Sequence, residues 1–454
     1  MPEFSAVPRS PQFTDNSALR GYQHLLQNAY VPTDLDDEVF DQIWQVWPDD
    51  LKRRAENATP MQRRLMAFQR YGLTPRPREY WNDPQLPEPL QYVIDEKRRW
   101  AINCFSCHSG TVYGVPHLGA PNNRFALQTL TEDSRSTKMR LGKALGQMEL
   151  GSMVIPLGTT NGTSNAVIFG VALMHARDAE LNFTPRGYVQ LDHHDMDAPA
   201  WWHFHKRPYL YIDGFAQKGH RGLMQFMLVR ENGPEKFRKW ETEFRDVFAM
   251  LQSLRPPKYK DHPGAIAVDP ALVEQGRQAF NRTCAECHGR YDSPDAEYPN
   301  RMVPIDELGT DPVRFSALSP AGRRHYGNSW FAHAGEPEQQ VTLSEPEGYV
   351  APALDGVWAS APYFHNGSVP TLWHVLHPDS RPRLWRSDRS QMNHDQVGVV
   401  FETVDRMPRG IRDMQVRRQY FDTRSHGKSN AGHNYPNDLT APEKRAVLEY
   451  LKTL

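Results

Sequence analysis

The chain has 454 residues, with 53 lysines and arginines against 54 aspartates and glutamates, and a formal net charge of -1. That length accommodates two or three domains, and the balanced charge, with a pI near 7.0, excludes bulk attraction to nucleic acid or an anionic membrane as the basis of function. A mean hydropathy of -0.69 and the lack of a long apolar run exclude a membrane-spanning helix.

In chain order, the first 24 residues show neither the basic start nor the apolar core of a secretory leader. Helices are predicted around 35–47 and 60–72, separated by proline-rich turns. Residues 1–85 read as an extension wrapped onto the first domain. The stretch LQYVIDEKRRWAINC, 90–104, is assigned the helix that leads into a first cysteine pair.

That pair, Cys104-Phe-Ser-Cys107-His108, recurs in type as Cys284-Ala-Glu-Cys287-His288, and together they use every cysteine of the chain. Two thiols one helical turn apart can bond the two vinyl groups of a porphyrin, and the next residue then offers its imidazole to the iron. The spacing therefore predicts two covalently bound c-type haems, with Cys104, Cys107, Cys284 and Cys287 as attachment points and His108 and His288 as iron ligands. Paired cysteines have two other readings, a four-thiolate zinc site and a thioredoxin-like redox motif. A zinc ribbon keeps its pairs close together and needs no histidine behind each, and no βαβ setting for a redox motif is visible. Since haem c is attached outside the bacterial cytoplasm, the protein is expected to be periplasmic or secreted, with a leader in the full gene.

Beyond the first motif, residues 193–226 hold His193, His194, His203, His205 and His220, read mostly as solvated or hydrogen-bonded histidines. Residues 234–259 carry Phe237, Trp240, Phe244, Val247, Phe248 and Leu251 at helical spacing, and the helix is expected to stop before Pro256 and Pro257. A polar, proline-rich boundary follows near 256–264. Leu272, Val273, Gly276 and Phe280 then form one face of a helix before Cys284, where Gly276 allows a crossing helix to come close. Segments 291–350 and 380–425 are expected to be irregular with a short sheet at most, and the chain ends in a helix carrying Val447, Leu448 and Leu451. The endings FAMLQSL and LEYLKTL match in pattern, each as the last helix of one cytochrome c unit. The fold is thus expected to be mainly α, with little β and long irregular loops. Its predicted parts are an extension at 1–85, an N-terminal haem domain at 86–258 and a C-terminal one at 264–454.

The segment APALDGVWASAPYFHNGSVPTLWHVLHP, 351–378, resembles a signature of the bacterial di-haem peroxidase superfamily. That group includes di-haem cytochrome c peroxidases, the tryptophan-modifying enzyme of methylamine dehydrogenase maturation and the rubber oxygenases. The ending at 427–454 is similar to the rubber-oxygenase-like branch. The resemblance implies that the N-terminal haem meets oxygen or peroxide while the C-terminal haem is six-coordinate and handles electrons. On the second haem's far face, peroxidases use Met and the tryptophan-modifying enzyme Tyr. That position falls near Asp379, which is neither. The late histidine of the rubber oxygenases matches His433, with His377 as the alternative. His365 is implied to sit near a propionate or an interface. Met302, Met392, Met407 and Met414 are ligands by chemistry alone and read as core or surface.

Residues 193–226 also resemble the peroxidase stretch that carries an inter-haem tryptophan and a Trp-Asp-Gly-Arg turn. Asp213-Gly214 keeps the turn, but Ile212 replaces Trp and Phe215 replaces Arg, which argues against a standard peroxidase. Trp201 and Trp202 are candidates for the bridging role and Phe215 for the border of an oxygen site; the alternative is that all three only fill core. His220 is a candidate proton donor. The function expected is an exported di-haem oxidoreductase that activates oxygen or peroxide at the N-terminal haem and oxidises an apolar organic substrate. Its alternatives are a peroxidase fed by a small redox protein, a pure electron-transfer cytochrome with both irons six-coordinate, and an enzyme that modifies a partner protein.

Overall fold

A computed structural model describes residues 10–184, 191–293, 298–333 and 341–454. Residues 1–9 of the segment read for a leader, and parts of 291–350, lie outside the described residues. No described helix is long and apolar enough to cross a membrane.

Helix α1 (Asn16–Gln27) starts where the Asp15 carboxylate accepts the Ser17 N–H at 2.8 Å, and it buries Ala18, Tyr22, Leu25 and Leu26 on one stripe. Strand β1 (Leu35–Asp36), α2 (Asp37–Gln42) with a 3-10 extension to Val46, α3 (Asp49–Glu56) and α4 (Pro60–Tyr71) follow. A Thr59–Gln62 capping box starts α4, and Gly72 at φ +69° stops it. The helices predicted around 35–47 and 60–72 therefore form.

The helix expected over 90–104 does not. Strand β2 (Tyr92–Ile94) pairs antiparallel with β3 (Arg99–Ile102), Tyr92 opposite Ile102 and Ile94 opposite Trp100, and β1 flanks β3. The Asp95 carboxylate accepts the Lys97 and Arg99 N–H groups at 3.0 and 2.8 Å, and Arg98 turns at φ +60°. That local turn, with Tyr92, Val93, Ile94, Trp100 and Ala101 all buried, favours a hairpin of β-branched and aromatic residues over a helix with one apolar face.

After β3 come α5 (Phe105–His108), α6 (Leu127–Leu141), α7 (Gln147–Gly151), α8 (Ala166–His175), α9 (Pro234–Ser253), α10 (Pro270–Thr283) and α11 (Ala285–His288). The helix that crosses α9 is α1, from the segment read as an extension. At Gly21 a β-carbon would lie 2.2 Å from the Asp246 carbonyl oxygen, so only glycine permits this approach. Arg20 grips the Asp246 carboxylate with two bonds of 2.8 Å beside it. The second pair, α10 with the terminal helix Ala441–Leu451, uses the same device: a β-carbon on Gly276 would lie 2.0 Å from the Ala446 carbonyl oxygen. Gly276→Ala is expected to force these helices apart and to lower stability by roughly 1–3 kcal/mol or more. Thermal unfolding of the holoprotein checks this, and an unchanged midpoint would contradict it.

Helix dominates, strands are few and short, and no barrel forms. The segment 380–425 is more ordered than expected. Leu384–Arg386 is the middle strand of a three-stranded sheet between Glu402–Thr403 and Tyr420–Asp422, and Met392–Asn393 pairs with Gly398–Val399. Three cores form among the described residues. One gathers Phe105, Phe215, Phe237, Phe244 and Leu251, a second Trp202, Phe280, Trp358, Trp385 and Val447, and a third Phe40, Phe68, Tyr71, Tyr92 and Trp100.

Candidate functional site

The first cysteine motif is tied down on both sides. Asn103 accepts the Phe105 N–H at 3.0 Å and donates to the carbonyls of Leu25 and Leu90 at 3.1 and 3.0 Å, linking the motif to α1 and the hairpin. Asn122 donates to the Ser106 carbonyl at 2.8 Å, and its own N–H bonds the Cys107 carbonyl at 2.9 Å. His108 donates from Nδ1 to the Pro199 carbonyl at 3.0 Å. A carbonyl only accepts, so the proton sits on Nδ1 and Nε2 keeps its lone pair. Trp201 stacks on this imidazole, with ring centres 4.7 Å apart and planes 16° apart. Burial lowers the imidazole pKa to about 4, so the ring is neutral at pH 7, as a metal ligand must be.

The second motif repeats the arrangement. His288 donates from Nδ1 to the Pro352 carbonyl at 2.8 Å. Tyr291 donates to the His288 carbonyl at 3.2 Å and accepts the Leu354 N–H at 2.6 Å, while Tyr298 donates to the Ala351 carbonyl. Opposite His288 stands His433, ring centres 6.1 Å apart and planes at 61°. These two residues would hold an iron between them, if each offered a ring nitrogen to it. The His433 Nδ1 is buried without a hydrogen-bond partner. His377, the alternative, stacks on Trp373 at 4.0 Å and donates to the Trp373 carbonyl at 2.7 Å, and among the described residues it makes no ring contact with His288 as His433 does. Among the described residues no other imidazole stands opposite His108 as His433 stands opposite His288.

These surroundings fit covalent haem better than the two other readings of the cysteines. Cys104 and Cys107 pack against two neighbouring cores and Cys284 against another, and among the described residues no cluster of three or more His, Cys, Asp or Glu could hold a metal ion, so the four thiols do not form one zinc site. Burial pushes the Cys104 and Cys284 thiols up to about 12 and that of Cys107 to about 11, away from the thiolate that redox exchange needs. Arg207, half-buried near His108 and Tyr298, has no carboxylate within ion-pair distance among the described residues and suits an anionic edge such as a haem propionate.

Trp202 is fully buried. Its Nε1 donates to the Asp355 carbonyl at 2.9 Å, an acceptor that also takes the His203 Nε2–H at 2.6 Å. Trp202 follows Pro199 by three residues, and Asp355 follows Pro352 by three, so this bond connects the two carbonyl-bearing segments that hold His108 and His288. Lys206 fastens Asp355 further, at 2.8 and 2.9 Å to its two carboxylate oxygens.

Phe215 lies in another core. Its ring is 4.7 Å from Tyr326 and 5.5 Å from Tyr211, and the guanidinium carbons of Arg314 and Arg323 each stand 5.9 Å from its centre. Asp213, two residues before it, is completely buried between those arginines at 2.9 and 2.6 Å. Burial alone would raise its pKa; the two arginines outweigh that and lower it. His220 pairs through Nε2 with Glu241 at 3.1 Å, a carboxylate shared with Arg221. Burial lowers its pKa. Trp202, Phe215 and His220 thus do not form a single constellation. His365 packs its ring on Tyr349 at 4.9 Å, and its carbonyl accepts the Asp197 N–H. Met302 and Met392 lie in strands, and Met414 is exposed.

Several residues escaped the sequence reading. The two proximal carbonyls belong to Ala198-Pro199-Ala200 and Ala351-Pro352-Ala353, the same tripeptide twice. A Pro-Tyr pair follows each, Pro208-Tyr209 and Pro362-Tyr363. That repeat was a legible signal. Glu241, Asp355 and the Arg314–Asp213–Arg323 cluster carried none.

Comparison with known proteins gives a consistent but partial picture. A family model described as RoxA-like, cytochrome c-like, matches residues 348–386, the segment containing Pro352. The uncharacterized protein y4iM of Sinorhizobium fredii is 27% identical over 292 residues, 57% of this chain and 64% of that protein. The uncharacterized protein y4iJ of the same organism is 25% identical over 44% of this chain and 41% of that protein. The matches thus span less than two thirds of either relative. A solved structure described as a MauG-like protein associated with microbial copper homeostasis is 16% identical, with a TM-score of 0.28, covering 64% of this chain and 89% of that one. The match to a cytochrome c-like model implies c-type haem, the group for which the two cysteine–histidine motifs are built.

Proposed function

We propose that the chain is an exported di-haem oxidoreductase that activates oxygen or peroxide at the N-terminal haem and oxidises an apolar organic substrate. His288 and His433 would hold the C-terminal haem, which would supply or store electrons. The observation that carries this reading is the asymmetry of the two histidine sites. His288 has a second imidazole across from it at 6.1 Å, whereas His108 has Trp201 against the side of its ring. When bound, the first haem supplies an iron that a small oxidant can reach, and the second an iron that cycles by single electrons.

The protein's own groups account for the rest. The Pro199 and Pro352 carbonyls orient His108 and His288 and fix the proton on Nδ1, while burial favours the neutral rings. Trp202, an aromatic of low ionisation energy, lies between the two holding segments and serves as the electron relay. Phe215, Tyr211 and Tyr326 form an aromatic wall that excludes water. His220, steered by Glu241, is the candidate proton donor. An apolar surface supports the substrate class: Met153 and Val154 are 63% and 83% exposed, near the start of the almost wholly apolar α8, where Asn165 donates to the Pro156 carbonyl. In this reading the N-terminal haem unit spans roughly 86–258 with α1 added to it, and the C-terminal unit 264–454.

Low-temperature EPR of the ferric holoprotein tests the proposal. A high-spin signal beside a low-spin one is expected. Two low-spin signals would overturn it in favour of an electron-transfer cytochrome.

A further inference from the structure

Beneath the His433 loop lies an arginine that, among the described residues, pairs with no carboxylate. Arg381 donates from Nη1 to the carbonyls of Asn430 and Gly432, both at 2.7 Å, from Nε to the His374 carbonyl at 3.0 Å and from Nη2 to the Val375 carbonyl at 3.3 Å. It spends its donors on backbone alone, joining the loop that ends at Gly432 to the helix Leu372–Leu376. Its guanidinium carbon also sits 4.8 Å from the centre of the Phe364 ring, and Phe364 in turn lies 6.0 Å from the His433 ring.

The loop needs such a clamp because its backbone is unfavourable. Gly432 and His433 both take positive φ, +77° and +51°, and for histidine that conformation is uncommon. A β-carbon at Gly432 would lie 2.3 Å from the Gly309 carbonyl carbon. On the far side the His433 N–H bonds the Leu308 carbonyl at 2.8 Å. The ring is therefore aimed by backbone held at two points, Leu308 on one side and Arg381 on the other. Arginine suits this task because its planar fork presents up to five donors in fixed directions; lysine offers a single ammonium.

We propose that Arg381 is a positioning residue that holds His433 opposite His288, and so sets the ligation and the potential of the second haem. This rests on the reading of His433 as that haem's distal ligand. The test is EPR and redox titration of the holoprotein for Arg381→Met, Arg381→Lys and His433→Gly, with and without added imidazole. The expected result is that Arg381→Met replaces the second haem's low-spin signal with a high-spin one and raises its midpoint potential. Arg381→Lys should fall between Arg381→Met and the unaltered protein. Added imidazole should restore the low-spin signal in Arg381→Met, which shows that the ligand was lost and the haem was not. The clamp is overturned if His433→Gly loses the low-spin signal while the Arg381 variants keep both signal and potential. If His433→Gly itself keeps the low-spin signal, the ligand assignment fails instead. Should Arg381→Met not fold, Arg381→Lys decides by the same two readouts.

Discussion

Replacing His433 by glycine is expected to convert the second haem from low-spin to high-spin. The imidazole across from His288 at 6.1 Å is the group that closes that iron in the proposed arrangement, and removing it leaves a water-sized gap. Imidazole is a strong-field donor with a lone pair on neutral nitrogen. Loss of one of two such ligands destabilises the ferric form, so the midpoint potential should rise on the order of 0.1 V, within the roughly 0.8 V that axial ligation spans. The same substitution relieves the positive φ of His433, because glycine adopts that conformation without strain. Stability should therefore change little while the spectrum changes greatly. Redox titration with EPR reads both effects. An unaltered low-spin signal would show that another residue ligates the iron.

Trp202→Phe is the second large effect. The phenyl ring keeps most of the buried packing but removes the indole N–H that reaches the Asp355 carbonyl and the low ionisation energy that suits an electron relay. Electron exchange between the haems should slow by on the order of tenfold, a barrier increase of about 1.4 kcal/mol. The lost hydrogen bond should cost about 1 kcal/mol of stability, softened because His203 still donates to the same carbonyl. Stopped-flow reduction, followed at the two haems separately, is the measurement. Unchanged exchange together with the modest stability loss would leave Trp202 as core alone.

Comparing the two helix pairs shows what could be read from local pattern. The stripe of α10 and its Gly276 were visible in sequence, and so was the stripe of α9. The partner of α9 was not. The Tyr92–Ile94 run sat in the expected place before the cysteines and was assigned as helix, while the true partner, α1, lay far upstream. Periodicity within a short apolar run does not separate a buried strand from a helix face. The Asp95 turn that decides it depends on a hairpin closing. In the same way, Phe215 could be named as a candidate from sequence, but the buried Arg314–Asp213–Arg323 cluster beside it joins three segments and leaves no trace in any one of them.

The sequence by itself pointed to the haem attachment points and the proximal histidines, because a cysteine pair and the histidine behind it lie within one helical turn, where covalent geometry sets their positions. It also determined the mainly helical class and the glycine at the second helix crossing, which follow from patterns a few residues long. The tertiary structure alone decided which carbonyls orient the imidazoles, 91 and 64 residues away along the chain. It placed His433 across from His288 where His377 stacks on Trp373, and it set Arg381 under the loop that aims His433. Those outcomes depend on loops meeting at van der Waals distance, as Gly432 meets Gly309, and the packing of distant segments is a property that no local stretch of sequence carries.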